Sequence, residues 1–273
     1  MTDKDKDIIY FPAFKELQTA IETLKVNLSM LILERDDLVY VVCKNIETTY
    51  LLSAGHLDYK IFQLDCDIRR LKRQMQLIQA KINRQEEIKP SDIEKQLDEE
   101  FRVYQKQLQQ MLSKMNMALK RSQNERLTQI EADELKDLYR RIVKKLHPDL
   151  NPNLDAVKKD LYIQTVAAYK NGDLASMRII AILVDDPLEK LPSEGSLNHL
   201  QKEKQRLEAQ VASIQEDIQR IKSEFPFTIK ELVLDKAALD KHIETLKQTI
   251  SQMEEVLDSY KQKINELMGA NDE

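Results

Sequence analysis

Apolar residues along this chain recur at alternating steps of four and three. In the first such stretch, Leu17, Ile21, Leu24, Leu28 and Leu31 form a stripe on one side of a helix, and Leu38, Val41 and Val42 then widen it. The pattern predicts a helix over 12–51, with a bend at Gly55. A second seam runs through Ile61, Leu64, Ile68, Leu71, Met75, Ile78 and Ile82, with Arg69, Arg70, Lys72 and Arg73 on the outer face as solvated charges. Pro90-Ser91-Asp92 closes this helix and caps the next, because Ser or Asp can accept from the free N–H groups of a first turn. A third seam follows: Ile93, Leu97, Phe101, Tyr104, Leu108, Met111 and Met115. Residues 12–125 thus read as two or three long helices, folded on each other or paired with another chain.

The last third repeats the theme. After a Pro-, Ser- and Gly-containing linker at Pro187–Gly195, Leu200, Lys204, Leu207, Val211, Ile214, Ile218, Ile221 and Phe225 keep the rhythm, with Lys204 as a polar seam position. Pro226 interrupts, and the seam resumes from Leu239 to Leu267. Residues 197–268 read as a coiled coil whose arms would be about 43 and 60 Å long at about 1.5 Å per residue. Pro226 turns the chain into a helical hairpin or kinks one long helix, and the hairpin is the preferred reading.

Between these arms, 128–184 breaks the heptad rule. Glu131–Leu146 reads as one amphipathic helix with Leu135, Leu138, Tyr139, Ile142, Val143 and Leu146 on its apolar face. Over 134–146, Lys136, Arg140, Arg141, Lys144 and Lys145 stand against Glu134 and Asp137, a local net of +3 in a chain of net charge −5. That inversion points to an acidic partner. His147 precedes Pro148 and is pushed out of helical geometry, so the helix ends there and presents His147, Pro148 and Asp149 in a stiff turn before Leu150-Asn151-Pro152. A second short helix spans about 155–170, with Val157, Leu161, Thr165, Ala168 and Tyr169 facing the first and Tyr162 and Val166 at its flank. Asn171-Gly172-Asp173 supplies a left-handed stop and a new cap, and an apolar helix over 174–184 should be mostly buried.

Composition agrees with long helices: 4 Gly, 7 Pro, no Trp and 33% charged residues in 273. A net charge of −5 and a pI near 5.6 argue against general binding to nucleic acid or anionic membrane. The N-terminus lacks a signal-peptide core and no apolar run can span a bilayer, which leads us to expect a soluble, cytoplasmic protein. Cys43 and Cys66 fit a reducing compartment. His56, His199 and His242 lack metal-ligand spacing, and Gly55, Gly172, Gly195 and Gly269 offer no phosphate-cradling loop. Neither a cofactor, a metal nor an enzyme activity is expected.

The run YRRIVKKLHPDLNP, followed by LYIQTVAAYKNGDL, resembles helix II, the signature loop and helix III of a J-domain, the module that activates DnaK-type (70-kDa heat-shock) chaperones. The resemblance covers about 128–184. It departs in three places: the usual first helix with its Tyr-Tyr…Leu-Gly pattern is missing, so that the end of the 93–125 helix stands in for it; Leu150 replaces a basic residue; and the last helix is unusually apolar, as if to dock on the coiled coils. The family implies an all-α protein with long coiled-coil helices flanking a short-helix J-like module. It also implies chaperone contacts through Tyr139, Arg140, Arg141, Lys144, Lys145, His147, Pro148, Asp149 and Asn151, with the coiled coils serving self-association as a homodimer or binding an unknown client. The competing expectation is a scaffold whose J-like module activates no chaperone.

Overall fold

The computed structural model describes residues 12–123, 127–185 and 197–269, and the linker expected at Pro187–Gly195 lies outside them. The fold is all-α. Helix α1 (Pro12–Asp37) passes through one π turn (Leu38–Val42) into α2 (Cys43–Ser53), followed by α3 (Gly55–Arg84), α4 (Pro90–Glu100) and α5 (Arg102–Gln123). Three shorter helices come next: α6 (Gln129–Leu146), α7 (Ala156–Asn171) and α8 (Leu174–Asp185). The chain then forms α9 (Leu197–Ser223), a 3-10 turn (Phe227–Ile229), α10 (Lys230–Leu234) and α11 (Lys236–Gly269). Among the described residues, no helix is long and apolar enough to cross a membrane.

Local signals set most helix ends. The break between α2 and α3 falls at Ala54, beside the expected bend at Gly55. Gln85 ends α3 in the left-handed region at φ 59°, and Pro90 opens α4 as its first helical residue. The side-chain cap expected there is not made, because the N-cap position is Lys89. Thr128 and Glu131 form a reciprocal capping box at the start of α6, and Asp155 caps α7 by accepting from the Lys158 N–H. Gly172 takes φ +67° at the end of α7, and the Asp173 carboxylate then accepts from the Ser176 N–H at 2.9 Å to start α8.

The chain divides into two compact units, one of residues 1–44 and 125–228, the other of 45–124 and 229–273; one division falls at 124/125, beside the expected boundary between 125 and 128, and the others fall inside the expected 12–125 and 197–268 regions. In the first, α1 and α9 run side by side in the same direction, with Lys222 near the end of α9 bonded to Glu34 near the end of α1 at 2.8 Å. Ile21, Leu28 and Ile32 of α1 share one apolar cluster with Leu200, Leu207, Ile214 and Ile218 of α9 and with α6, α7 and α8. The helix that completes the packing around α6 and α7 is therefore α1, about a hundred residues upstream, and not the expected end of the 93–125 helix.

In the second unit α3 and α11 run parallel, and α4 and α5 return antiparallel to α3. Ile78, Ile93, Leu97 and Ile264 form its buried cluster. The basic face of α3 is tied down there: Arg70 bonds Glu94 and Asp98, and Arg73 bonds Glu100. Within its own unit each arm of 197–268 packs on another helix, α9 on α1 and α11 on α3, and a cis Phe225–Pro226 bond lies between the arms.

Candidate functional site

The candidate site is the C-terminal end of α6 and the loop after it. The apolar stripe read from the sequence faces inward: Leu135, Tyr139, Ile142, Val143 and Leu146 are buried and Leu138 is partly so. Geometry then puts the cations outside. Arg140, Arg141, Lys144 and Lys145 are all exposed, on the arc of the helix left over by that stripe. Lys136 reaches Asp37 of α1 at 3.0 Å, and Lys145 donates to the Val184 carbonyl at 3.2 Å. Arg140 and Lys144 make no ion pair among the described residues.

Tyr139 and His147, expected as contacts to a partner, belong to the interior. Tyr139 is 1% exposed; its ring stacks on Tyr169 at 4.0 Å between centroids, and its hydroxyl donates to Asp36 Oδ2 at 2.7 Å. Asp36 is itself 2% exposed, and Arg35 donates to its other oxygen at 2.6 and 2.9 Å. Burial first, and the Asp36 carboxylate second, push the Tyr139 phenol up, so it stays a donor. Next to this pair, Tyr169 donates to Asp37 at 3.2 Å.

His147 ends α6 with extended backbone, as its place before Pro148 requires. It is 5% exposed and packs edge-on against Tyr162, with ring centroids 5.0 Å apart. The Asp149 backbone N–H donates to His147 Nδ1 at 3.1 Å. An accepting Nδ1 requires the neutral ring with its proton on Nε2. Burial holds the His147 pKa below its ordinary value; Arg35 adds to this, while Asp149 and Asp36 oppose it. The loop closes as a tight turn, with the Leu150 and Asn151 N–H groups both bonded to the His147 carbonyl. Asn151 also returns its side-chain amide to the Lys144 carbonyl at 3.1 Å, so it caps the end of α6.

Helix α9 lies against the same loop. Arg206 Nη1 donates to the Asp149 carbonyl at 2.9 Å while the guanidinium is held by Glu203 and Gln210. Leu150 is 7% exposed and joins the apolar cluster that includes α9. Pro148 is partly exposed. The Asp149 carboxylate is 39% exposed and 3.8 Å from His147 Nδ1.

Arg35, Asp36 and Arg206 went unnoticed in the sequence. Asp36 follows Ile32 by four residues and so shares the buried face of α1, a readable signal. Arg206 leaves none, since its partner is a backbone carbonyl. Among the described residues, no three His, Cys, Asp or Glu side chains converge as metal ligands. Comparison with protein-family models, with curated proteins and with solved structures finds no match for this chain.

Proposed function

We propose that residues 128–184 act as a J-like docking module, which binds a DnaK-type chaperone and stimulates its ATP hydrolysis without being an enzyme itself. The observation that carries this reading is the exposed cationic row Arg140, Arg141, Lys144 and Lys145, which runs up to a turn where the Asp149 carboxylate is accessible. A cationic row of this kind steers and orients an acidic surface, and Asp149 can form a charge-assisted bond to a cation of the partner. In this reading Tyr139, His147 and Asn151 act from within. Tyr139 anchors α6, His147 holds the Asp149 backbone, and Asn151 fixes the end of the helix. Self-association or a client would use the faces of α9 and α11 that α1 and α3 leave exposed.

A second reading has its own support. The backbone of Asp149 is tied on both sides, its N–H to His147 and its carbonyl to Arg206, and Leu150 is buried, so the turn also serves as a packing element of a scaffold. Single-turnover ATP hydrolysis by the host cell's DnaK-type chaperone separates the two. The docking reading expects stimulation by the full chain that Asp149→Asn abolishes and that paired Arg140→Ala and Lys144→Ala substitutions weaken in a salt-dependent way. No stimulation by folded protein leaves the scaffold.

A further inference from the structure

The turn after α6 holds two acceptors face to face. His147 Nδ1 takes the Asp149 backbone N–H at 3.1 Å, so it carries no proton, and the Asp149 carboxylate stands 3.8 Å from the same nitrogen. Neither can donate to the other, and 3.8 Å is too long for a hydrogen bond. Among the described residues the carboxylate accepts no other hydrogen bond, and at 39% exposure it has room to turn. One proton would close the gap between them.

The groups around His147 decide which anion would meet that charge. Helix α1 brings Arg35 and Asp36, α7 brings Tyr162, and α9 brings Arg206 to the Asp149 backbone. Arg35 repels an imidazolium. Asp36 attracts one, but its two oxygens already take Arg35 and the Tyr139 hydroxyl. Burial keeps the Tyr162 phenol neutral, so it supplies no anion. Arg206 is held by Glu203 and Gln210 and bonds the Asp149 carbonyl rather than its carboxylate. Asp149 is thus the nearby carboxylate with bonding capacity left.

A proton on Nδ1 turns that atom from acceptor to donor. The Asp149 N–H loses its acceptor, and the Asp149 carboxylate gains a charge-assisted partner. The remaining ties of the turn do not use Nδ1: Leu150 and Asn151 bond the His147 carbonyl, Arg206 holds the Asp149 carbonyl, and Leu150 is buried. We propose that His147 is a proton-operated latch on this turn: when Nδ1 is protonated, the Asp149 carboxylate swings in from the surface to pair with it and is withdrawn from the docking face. The loss of a docking contact rests on the function proposed above; the latch itself does not. Burial, the largest influence on His147, sets the transition below the ordinary histidine range, and the Asp149 carboxylate works against that shift.

The test is an NMR titration of the full chain from pH 7.5 to 5, with carbon-13 and nitrogen-15 labels in histidine and aspartate. The His147 signal is the one missing from His147→Gln. Its Nδ1 resonance and the Asp149 carboxyl resonance should move with one midpoint, and the Asp149 amide should shift with them. In His147→Gln the Asp149 carboxyl should stay flat over this range. Asp149→Asn removes the anion that favours the charged ring, so the His147 midpoint should fall by about one pH unit. The latch is overturned if His147 stays unprotonated to pH 5, if the Asp149 carboxyl is unmoved while His147 titrates, or if it moves equally in His147→Gln. It is also overturned if Asp149→Asn leaves the His147 midpoint in place, or if helicity by circular dichroism collapses at that midpoint. Docking is read separately, as affinity for the DnaK-type chaperone at pH 7.5 and 5: about tenfold weaker at the acid end for the native chain, with no such fall for His147→Gln. An equal fall in both chains overturns the regulatory role. No docking at either pH sinks the docking reading alone, and the titration still decides the latch.

Discussion

The bond between Tyr139 and Asp36 is the most exacting test of the first unit, because both groups are buried and come from helices 103 residues apart in sequence. Tyr139→Phe removes one oxygen from a 2.7 Å bond to a carboxylate that keeps Arg35 as its remaining partner. A hydrogen bond to a charged group is worth about 1.5–3 kcal/mol, which corresponds to a roughly ten- to hundred-fold faster opening of the unit. Asp36→Ala should cost more, about 3–5 kcal/mol, because it strands the partly buried Arg35 guanidinium and the Tyr139 hydroxyl together. The double variant should show a coupling of about 1.5–3 kcal/mol, since once the carboxylate is gone the hydroxyl has nothing left to lose. Hydrogen exchange resolved by peptide is the assay of choice in a chain of two compact units, for which a single unfolding midpoint has no clear meaning. Peptides covering 135–146 and 161–171 should lose protection, while 61–82 in the other unit stays unchanged. The reasoning is refuted if protection over 135–146 survives Tyr139→Phe, or if the two substitutions prove strictly additive.

Three further outcomes are expected. Because burial lowers the His147 pKa on folding, the folded chain binds fewer protons than the unfolded one, so the stability His147 contributes is present above about pH 6.5 and lost as pH falls below it; His147→Gln should flatten the fall in amide protection factors over 135–147 between pH 7.5 and 5.5. Arg206→Ala removes the guanidinium from the Asp149 carbonyl, and amide exchange over 147–151 should rise about tenfold while α9 remains helical by the protection of its own amides. Among the described residues the Ser29 hydroxyl, in a residue 2% exposed, has no hydrogen-bond partner, so Ser29→Ala should stabilise the first unit by roughly 1 kcal/mol, read as slower exchange over 24–36.

The short helices of 128–185 were legible almost to the residue, and the long ones were legible only one at a time. Glu131–Leu146 was expected and Gln129–Leu146 is observed; about 155–170 was expected and Ala156–Asn171 is observed. Signals such as Gly172, Asp173 and the His147–Pro148 step act on their own neighbours, so a sequence read locally contains them. Val157, expected to face inward, is 70% exposed because it stands in the first turn of α7, before that helix meets α6. The seams are another matter. A stripe of Leu and Ile every three or four residues states which face of a helix is buried but not what buries it. α1, α3, α9 and α11 carry stripes of nearly the same chemistry. That α1 takes α9 and α3 takes α11 depends on sequence-distant contacts that no window reveals. For the candidate site, the cations of α6 lie outside, as the helix pattern predicts. Tyr139 stands on the apolar face that the pattern predicts and is buried between Tyr169 of α7 and Asp36 of α1, while His147 is buried against Tyr162 of α7, a packing that the turn alone does not announce.

The degeneracy of the seams gives the buried polar groups their purpose. Apolar stripes of similar spacing tolerate one another, and a pairing slid by one heptad would bury almost as much surface as the one observed. Such a slide would take Asp36 away from Tyr139 of α6 and leave Arg35, its neighbour on the same helix, as its remaining partner. The lost bond to a charged group, about 1.5–3 kcal/mol, then counts against the wrong arrangement rather than the right one. Arg206 acts in the same sense at the other side of the module, since its reach to the Asp149 carbonyl is made only when α9 lies level with the turn. The first contact ties α6 to α1 and the second ties the turn after α6 to α9, the two longest helices of the unit. The polar residues at the turn thus select a register as well as shaping a surface. A substitution among them is therefore to be judged first by amide protection along α1 and α9, and only then by what the exposed face of α6 does.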